Sequence, residues 1–284
     1  MLLLFQIATG PDSRQVINPA TPLQIKNFAL CLQLQEVHSR INALISGIPH
    51  APEVLSASLG AIYGVALDSV TSLFQAMGEH IEHIILQIHD QNFSPEVSDA
   101  SIVEGCSKYM EELHKTTIHY RVEFLSKLLT NSSKGDSISA NLARTMASRV
   151  LVFFVRHAAL VRPLSESGKL KMTKDIAELE LTVGEIVFPI EQLGAPFRAL
   201  RAFKHLIFLE TSVLGSSPIL RELLPSVILH HLYSRAPSEL ESPMKSKKLT
   251  PIQYSLWLDS QPEEQVWKGL KSTLDDYASK VKAR

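Results

Sequence analysis

Residues 138–161, ISANLARTMASRVLVFFVRHAALV, contain neither glycine nor proline and decide the fold class of this chain. The apolar run at residues 150–155 has, by itself, the length of a buried β-strand. No second segment of the sequence has a strand pattern with which it could pair, so a helix is the better prediction. The run is apolar on every side, which is typical of a helix buried at the centre of a protein.

The composition agrees with a helical protein and excludes several other classes. The chain has 284 residues, of which 45% are hydrophobic, 7% are aromatic and only 12 are glycine. It is too apolar for a disordered chain and too poor in turn residues for a β-sandwich. A net charge of −1, from 28 basic and 29 acidic side chains, argues against nucleic-acid binding by the chain as a whole.

The cysteines and the first residues indicate a compartment. Cys31 and Cys106 lie far apart among apolar residues and are expected to be reduced core thiols. The start, MLLLFQI, has no positively charged region and is too short for a signal peptide. The apolar run at residues 150–155 falls well below the roughly 20 residues that a membrane span needs. We therefore expect a cytosolic protein or one peripheral to a membrane.

Helix-start signals divide the rest of the chain into further helices. Thr21-Pro22, Ser217-Pro218 and Thr250-Pro251 each place a cap residue before proline, a favoured start. A capping box at Ser101-Ile-Val-Glu104 predicts another start. The helix after Pro22 carries apolar stripes on two sides, so we expect it to be an interior element. Helices are predicted at 22–46, 51–90, 101–129, 138–161, 169–188, 195–212, 218–234, 250–259 and 262–283.

These helices predict an all-α protein of stacked helical bundles. In the second of them, apolar residues from Leu67 to Ile88 recur on one face, and we expect Ile81 and Phe153 to lie in the core. The expected organisation is a poorly ordered leader (1–20), an N-terminal bundle (21–130), a central bundle (138–235), a linker (236–249) and a C-terminal helical hairpin (250–284).

No catalytic constellation is visible in the sequence. His80 and His83 are three residues apart rather than the four of a helical metal motif, and further ligands are missing. His230 and His231 are adjacent and point in different directions on a helix. Phosphate-binding glycine motifs and a nucleophile elbow are also lacking. We predict no cofactor and no enzymatic activity; a zinc-dependent helical enzyme is kept as the alternative that elemental analysis would test.

A charge asymmetry at residues 142–174 is the first candidate interaction surface. Glu166 is the single acid in this segment, and the seven basic residues are Arg144, Arg149, Arg156, Arg162, Lys169, Lys171 and Lys174. One interpretation is a basic patch that contacts an anionic membrane or an acidic partner segment. The other, which we favour, is local: Arg149 and Arg156 share a helix face and either extend along apolar surface to reach water or pair with Glu178, Glu180 or Glu185.

A stripe on the last predicted helix is the second candidate. Its members, Trp267, Leu270, Leu274 and Tyr277, fall on one side of the helix. Such a stripe packs either on its own protein, which we prefer, or in the groove of a partner.

Several long segments of the chain resemble the fifth-subunit family of the conserved oligomeric Golgi complex. They are RTMASRVLVFFVRHAALVRPLSESGKL at 144–170, AELELTVG at 177–184, LQIHDQNF at 86–93, YMEEL at 109–113 and QLGAPFRALRAF at 192–203. YSLWLD at 254–259 and WKGLKSTLDDY at 267–277 are plant-like versions of the family pattern. The resemblance covers nearly everything after residue 8.

The resemblance implies a helical rod of the kind found in multisubunit tethering complexes. Such a subunit is non-catalytic and helps to capture vesicles in retrograde traffic within the Golgi, from the cytosolic side of the membrane. The implied partners are the other subunits, the seventh foremost, with SNARE proteins and coiled-coil tethers. The family subunit is longer, and this chain resembles its C-terminal third. The alternative is a truncated copy that acts as a peripheral membrane or partner-binding helical module outside the complex.

Overall fold

The structure, a computed structural model, describes residues 18–95, 105–129, 137–237 and 239–282. Helices account for all the regular secondary structure in these ranges, and they contain no strand. The all-α prediction is therefore confirmed. The predicted capping box at Ser101-Ile-Val-Glu104 and the leader up to residue 17 lie outside the described residues.

The main helices follow the predicted order. They are α1 (Pro22–Ile45), α2 (Ala51–Leu86), α3 (Lys108–Tyr120), α4 (Ile138–Ala158), α5 (Glu166–Thr182), α6 (Ala195–Leu206), α7 (Pro225–Arg235), α8 (Pro251–Ser260) and α9 (Glu263–Lys282). Both α3 and α5 continue into a π-helical turn, Arg121–Leu125 and Val183–Val187. Shorter helical turns lie at Gln87–Asp90, Ser126–Leu128, Ile190–Leu193, Thr211–Ser216, Pro218–Glu222 and Pro243–Ser246.

Capping residues explain where two of these helices begin. Thr21 and Thr250 each accept a hydrogen bond from the backbone N–H three residues later, and the glutamine at that position bonds back to the cap. Proline follows both threonines, where its missing N–H costs nothing. The two predicted starts are confirmed, each as a complete capping box.

The chain contacts define two structural units. The first comprises the described residues of Met1–Ile81, together with His114–Ala147 and Thr182–Pro189. Its core contains Phe28 on α1, which meets Phe124 edge-to-face at 6.4 Å between ring centroids. His80 Nδ1 lies 2.5 Å from the Tyr120 hydroxyl, so the polar tip of a buried ring finds a partner.

The second unit comprises Glu82–Leu113, Ser148–Leu181 and the described residues of Ile190–Arg284. One of its buried clusters joins α7, α8 and α9; its members are Leu160, Tyr233, Leu240, Tyr254, Leu258, Val266 and Leu270. The Tyr233 hydroxyl donates to the Leu270 carbonyl at 3.1 Å. The two oxygens of Glu263 accept from Ser226 N–H and Oγ at 2.8 and 2.9 Å, which fixes the start of α9 to the start of α7.

The predicted core faces are mostly confirmed. Ile81 and Phe153 are buried, and so are Val70, Phe74, Met77 and Ile84 on the same face of α2. Ile88, in the turn that follows α2, is buried as well. Leu240, inside the segment predicted as a linker, is also buried. The division of the chain into a leader, two bundles, a linker and a hairpin stays a prediction.

The prediction that α1 is an interior element is wrong. The longer of its two predicted stripes consists of Leu30, Leu34, Val37, Ile41, Leu44 and Ile45. Leu44 is 74% exposed and Val37 is exposed as well. The buried positions of α1 are Gln24, Asn27, Phe28, Cys31 and Ile45, of which only Ile45 belongs to that stripe. An apolar stripe is buried only where a neighbour covers it, and periodicity alone does not say which of two stripes has the neighbour.

The predicted helix at 218–234 is interrupted. A 3₁₀ turn covers Pro218–Glu222, and α7 begins at Pro225. Proline disfavours helical backbone in the residue before it. Leu224 accordingly has φ −62° and ψ 138°, an extended conformation.

Two helical segments of the described chain are long and apolar enough to cross a membrane by length and composition alone. They are Ala51–Asp90 and Ile138–Ala158, with mean hydropathies of 1.4 and 1.3. In the second, 56% of the apolar window is buried inside the protein, which accounts for the composition of α4 as a core helix. In the first segment, 22% of the apolar window is buried inside the protein.

Candidate interaction surfaces

Arg149 and Arg156, two turns apart on α4, converge on one carboxylate. Arg149 Nη2 and Arg156 Nη1 each lie 2.8 Å from an oxygen of Asp259, near the end of α8. Arg149 also pairs with Glu82, and Arg156 donates to Ser255 Oγ at 3.0 Å. The two arginines thus fasten α8 to α4. The glutamates predicted as their partners are replaced by acids that lie far away in sequence.

The charges of this cluster support one another. Partial burial alone would raise the pKa of Asp259, but the hydrogen bonds from the two arginines hold it below its ordinary value. Burial works against the charged form of Arg149, and the bonds to Asp259 and Glu82 outweigh it and raise the pKa. Asp259 and Arg149 are therefore both charged at neutral pH.

The other basic residues are placed differently. Arg162 donates to the carbonyls of Ala236, at 3.1 Å, Leu240, at 2.5 Å, and Pro237. Lys169 pairs with Glu166 at 2.6 Å, and Lys171 lies 5.3 Å from the ring centroid of Phe93. Lys174 is exposed on α5.

Arg144 belongs to the first unit, where its guanidinium lies 5.1 Å from the Phe188 ring centroid. The basic patch stays a prediction. Several of its positive charges already contact carboxylates or carbonyls of the same chain.

The stripe on α9 is largely used for packing within the protein. Leu270 is buried in the cluster that joins α7, α8 and α9, and Leu274 and Tyr277 pack against that cluster. Trp267 is half-buried. A role for this stripe in binding a partner helix also stays a prediction.

Sequence reasoning missed a buried carboxylate, Asp175 on α5. Its oxygens accept from Ser107 N–H and Oγ, both at 2.7 Å, and from the Tyr109 hydroxyl at 2.9 Å. Burial raises the pKa of Asp175, and these three hydrogen bonds oppose the increase. Asp175 thereby holds the start of α3. Ser107, a favourable cap residue directly before Lys108, was the available signal.

A group of three histidines was missed as well, of which His157 and His230 are buried and His89 is half-buried. His89 Nε2 and His157 Nδ1 are 3.0 Å apart, and His230 Nε2 lies 2.8 Å from the Tyr254 hydroxyl. Burial lowers the pKa of His89 to about 4 and that of His230 to about 3, and it holds the pKa of His157 well below its ordinary value. These rings are neutral at pH 7. Among the described residues, no three histidine, cysteine or acidic side chains are grouped as metal ligands.

Together, the described residues define an all-α protein whose charged and polar clusters join its own helices. Comparison with known proteins adds a similarity in sequence. Conserved oligomeric Golgi complex subunit 5 of Arabidopsis thaliana is 56% identical over 98% of this chain and 34% of its own length. The subunit 5 proteins of Mus musculus and Drosophila melanogaster are 29% and 24% identical, over 98% and 91% of this chain and 34% and 35% of their own lengths.

Over nearly its whole length the chain is therefore similar in sequence to one part of the conserved oligomeric Golgi complex subunit 5 family, which confirms the resemblance. The chain spans about a third of the length of the curated relatives it matches. No protein-family profile and no solved structure matches it.

Proposed function

We propose that this chain is a non-catalytic subunit of a Golgi vesicle-tethering complex, acting as a helical scaffold in retrograde transport within the Golgi. The observation that carries the proposal is the 56% identity to a subunit 5 protein over 98% of the chain. Identity at that level, extending over surface as well as core, supports a shared role and not only a shared fold.

The internal contacts are consistent with a scaffold. Asp259 joins α8 to α4 through two arginines, and Asp175 anchors the start of α3 to α5. Long-range polar contacts of this kind fix helices relative to one another and specify a single arrangement. A rigid subunit presents its binding surfaces with little entropic cost on assembly.

The proposed partners are the other subunits of the complex, the seventh foremost, with SNARE proteins and coiled-coil tethers as further candidates. The proposed location is the cytosol, with peripheral attachment to the Golgi membrane. These partners and this location rest on the family resemblance.

Exposed apolar side chains around the turn between α1 and α2 support a subunit contact. Leu44 is 74% exposed and Val54 is 77% exposed, and Ile48 between them is also exposed. Soluble proteins rarely leave large apolar surface in water unless a partner covers it. In an assembled complex, another subunit would bury these side chains.

Gradient fractionation of a cell extract tests the assembly. The chain alone has a mass of 31.6 kDa, and we expect it to migrate in a much larger particle. The paired change Leu44→Glu and Val54→Glu should release it toward its own mass. Leu256→Glu, at an exposed site on α8, is the matched control and should leave the particle intact. Migration of the unaltered chain as a monomer would favour the alternative of a helical module acting outside the complex.

A further inference from the structure

A groove beside α6 combines two aromatic rings with positive charge. It has a volume of about 430 Å³ and is lined by Glu180, Phe197, Arg201, Lys204, His205 and Phe208, all in the second unit. We propose that this groove binds an acidic peptide segment of a partner protein, with one apolar side chain of that segment between the two phenylalanines.

The helical spacing places five of these side chains on one side of the chain. Phe197, Arg201, Lys204 and Phe208 recur at intervals of three or four residues, and His205 is adjacent. The opposite side of α6 is buried through Leu200, Ala202, Phe203 and Leu206. The groove side is therefore the solvent face of a strongly amphipathic helix.

Both aromatic rings of the groove are accessible to solvent. Phe208, just past the end of α6, is 48% exposed, and Phe197 is half-buried. Exposed aromatic and arginine side chains are enriched at the centres of protein interfaces. A concave space between two rings suits a single inserted side chain better than a flat bilayer surface.

The charge of the groove selects an acidic occupant. Arg201 stacks on Phe197 at 5.9 Å from the ring centroid, and none of the described carboxylates forms an ion pair with it. Arg198, on another side of α6, differs, because it pairs with Glu222 at 2.9 Å. Among the described carboxylates, the ion pair of Lys204 is with Glu180, at 4.0 Å. Two cations against one carboxylate leave the groove positive.

Stabilisation of α6 explains only some of the positive charge in the groove. Lys204 and His205 lie in the last turn of α6, where positive charge also favours the helix dipole. Arg201 lies a turn earlier and gains little from that effect. Its guanidinium, held against an aromatic ring with its N–H donors free of carboxylates, has the geometry that recognises a carboxylate from outside.

An array of immobilised short peptides tests the proposal with the purified full chain. Each peptide carries one apolar residue flanked by aspartate or glutamate, and matched peptides replace the acids by lysine or the apolar residue by serine. We expect retention on the acidic peptides with leucine, phenylalanine or methionine, and we expect added salt to weaken it. Equal retention on the lysine or serine peptides, or no retention at all, would overturn the proposal.

Variants of the groove make the test specific. Arg201→Glu and Phe208→Ala should each weaken the best peptide about tenfold or more, with unchanged circular dichroism. Lys271→Glu, an exposed charge reversal on α9, is the matched control and should bind normally. Equal affinities for all three variants would contradict the proposal.

Two other occupants are outcomes of the same experiment. Binding to phosphatidylserine vesicles that Arg201→Glu abolishes, without peptide binding, would assign the groove to lipid. Dimerisation lost in Phe208→Ala would assign it to a second copy of the chain. Either result overturns the peptide proposal. This inference goes beyond the proposed function, and its test needs only the purified protein. Peptide binding can therefore be absent although the chain assembles into the complex, and it can be present although the chain does not assemble.

Discussion

Gly168, in the first turn of α5, lies directly against the backbone carbonyl of Phe93. A β-carbon at position 168 would sit 1.8 Å from that oxygen. The same carbonyl accepts hydrogen bonds from Ser165 N–H at 3.0 Å and Ser165 Oγ at 3.1 Å. The start of α5 is thus bonded to the segment after α2, and only glycine fits at the contact.

Gly168→Ala should therefore destabilise the second unit. The backbone must move apart and the Ser165 bonds weaken, at a cost of about 1–3 kcal/mol in the free energy of unfolding. Gly269→Ala is the control, because a β-carbon there meets open space within α9. It should stabilise the helix by up to about 1 kcal/mol. Urea denaturation measures both; equal effects of the two changes would show that the contact is absent.

Acid should destabilise the second unit through its buried histidines. A histidine whose pKa is lowered on folding contributes stability that is present above its unfolded value of 6.5 and is lost as the pH falls through its folded value. For His89, with a folded pKa of about 4, that window runs from 6.5 down to about 4. Each such histidine lowers the free energy of unfolding by about 1.4 kcal/mol per pH unit within its window.

Chemical denaturation at pH 7, 6 and 5 checks this dependence. His89→Gln should make the slope shallower, while His50→Gln, at an exposed position, should leave it unchanged. Asp175 changes the free energy of unfolding with pH in the opposite direction, because burial raises its pKa. It binds a single proton, whereas His89, His157 and His230 together bind three, so the histidines determine the sign of the dependence. A free energy of unfolding that does not change between pH 7 and pH 5 would contradict the burial of these rings.

Asp259→Asn should loosen α8 from α4. The change leaves Arg156, whose side chain is 14% exposed, without its carboxylate, and it removes a partner of Arg149. We expect a loss of about 1–2 kcal/mol, reduced because the site is partly exposed. Asp276→Asn on α9, also at an exposed position, is the control and should be nearly neutral. Thermal melting compares the two variants. Equal melting temperatures would mean that the contact of Asp259 with the two arginines does not stabilise the protein.

The isolated chain should bind anionic vesicles only weakly at physiological salt. Arg149, Arg156, Arg162 and Lys169 are engaged by acids or carbonyls within the protein. Sedimentation with phosphatidylserine vesicles tests this. Arg144→Glu and Lys174→Glu are the informative changes, since both residues are exposed. Strong binding that these two changes abolish would establish the basic patch as a membrane surface.

The sequence predicted those features that depend on near neighbours in the chain. Thr21-Pro22 and Thr250-Pro251 specify helix starts through local hydrogen bonds, and the face of α2 around Val70 and Ile81 follows from helical period. The position of α4 as a core helix follows from its apolar run.

Features that depend on distant residues were not predictable in this way. The partners of Arg149 are 67 and 110 residues away in sequence, and the acids chosen from its vicinity were the wrong ones. The outward face of α1 depends on which neighbour happens to lie beside it. The groove lined by Phe197 and Phe208 is also lined by Glu180 of α5. The spacing of residues in α6 does not indicate that α5 lies beside it.

Affinity purification of the tagged chain from cells of its source, followed by mass spectrometry, tests the central claim most directly. The account predicts that the other subunits of the conserved oligomeric Golgi complex co-purify, the seventh foremost, and that Leu44→Glu with Val54→Glu reduces their recovery while Leu256→Glu does not. Recovery of the folded chain alone, free of every other subunit, would contradict a scaffold role in the complex.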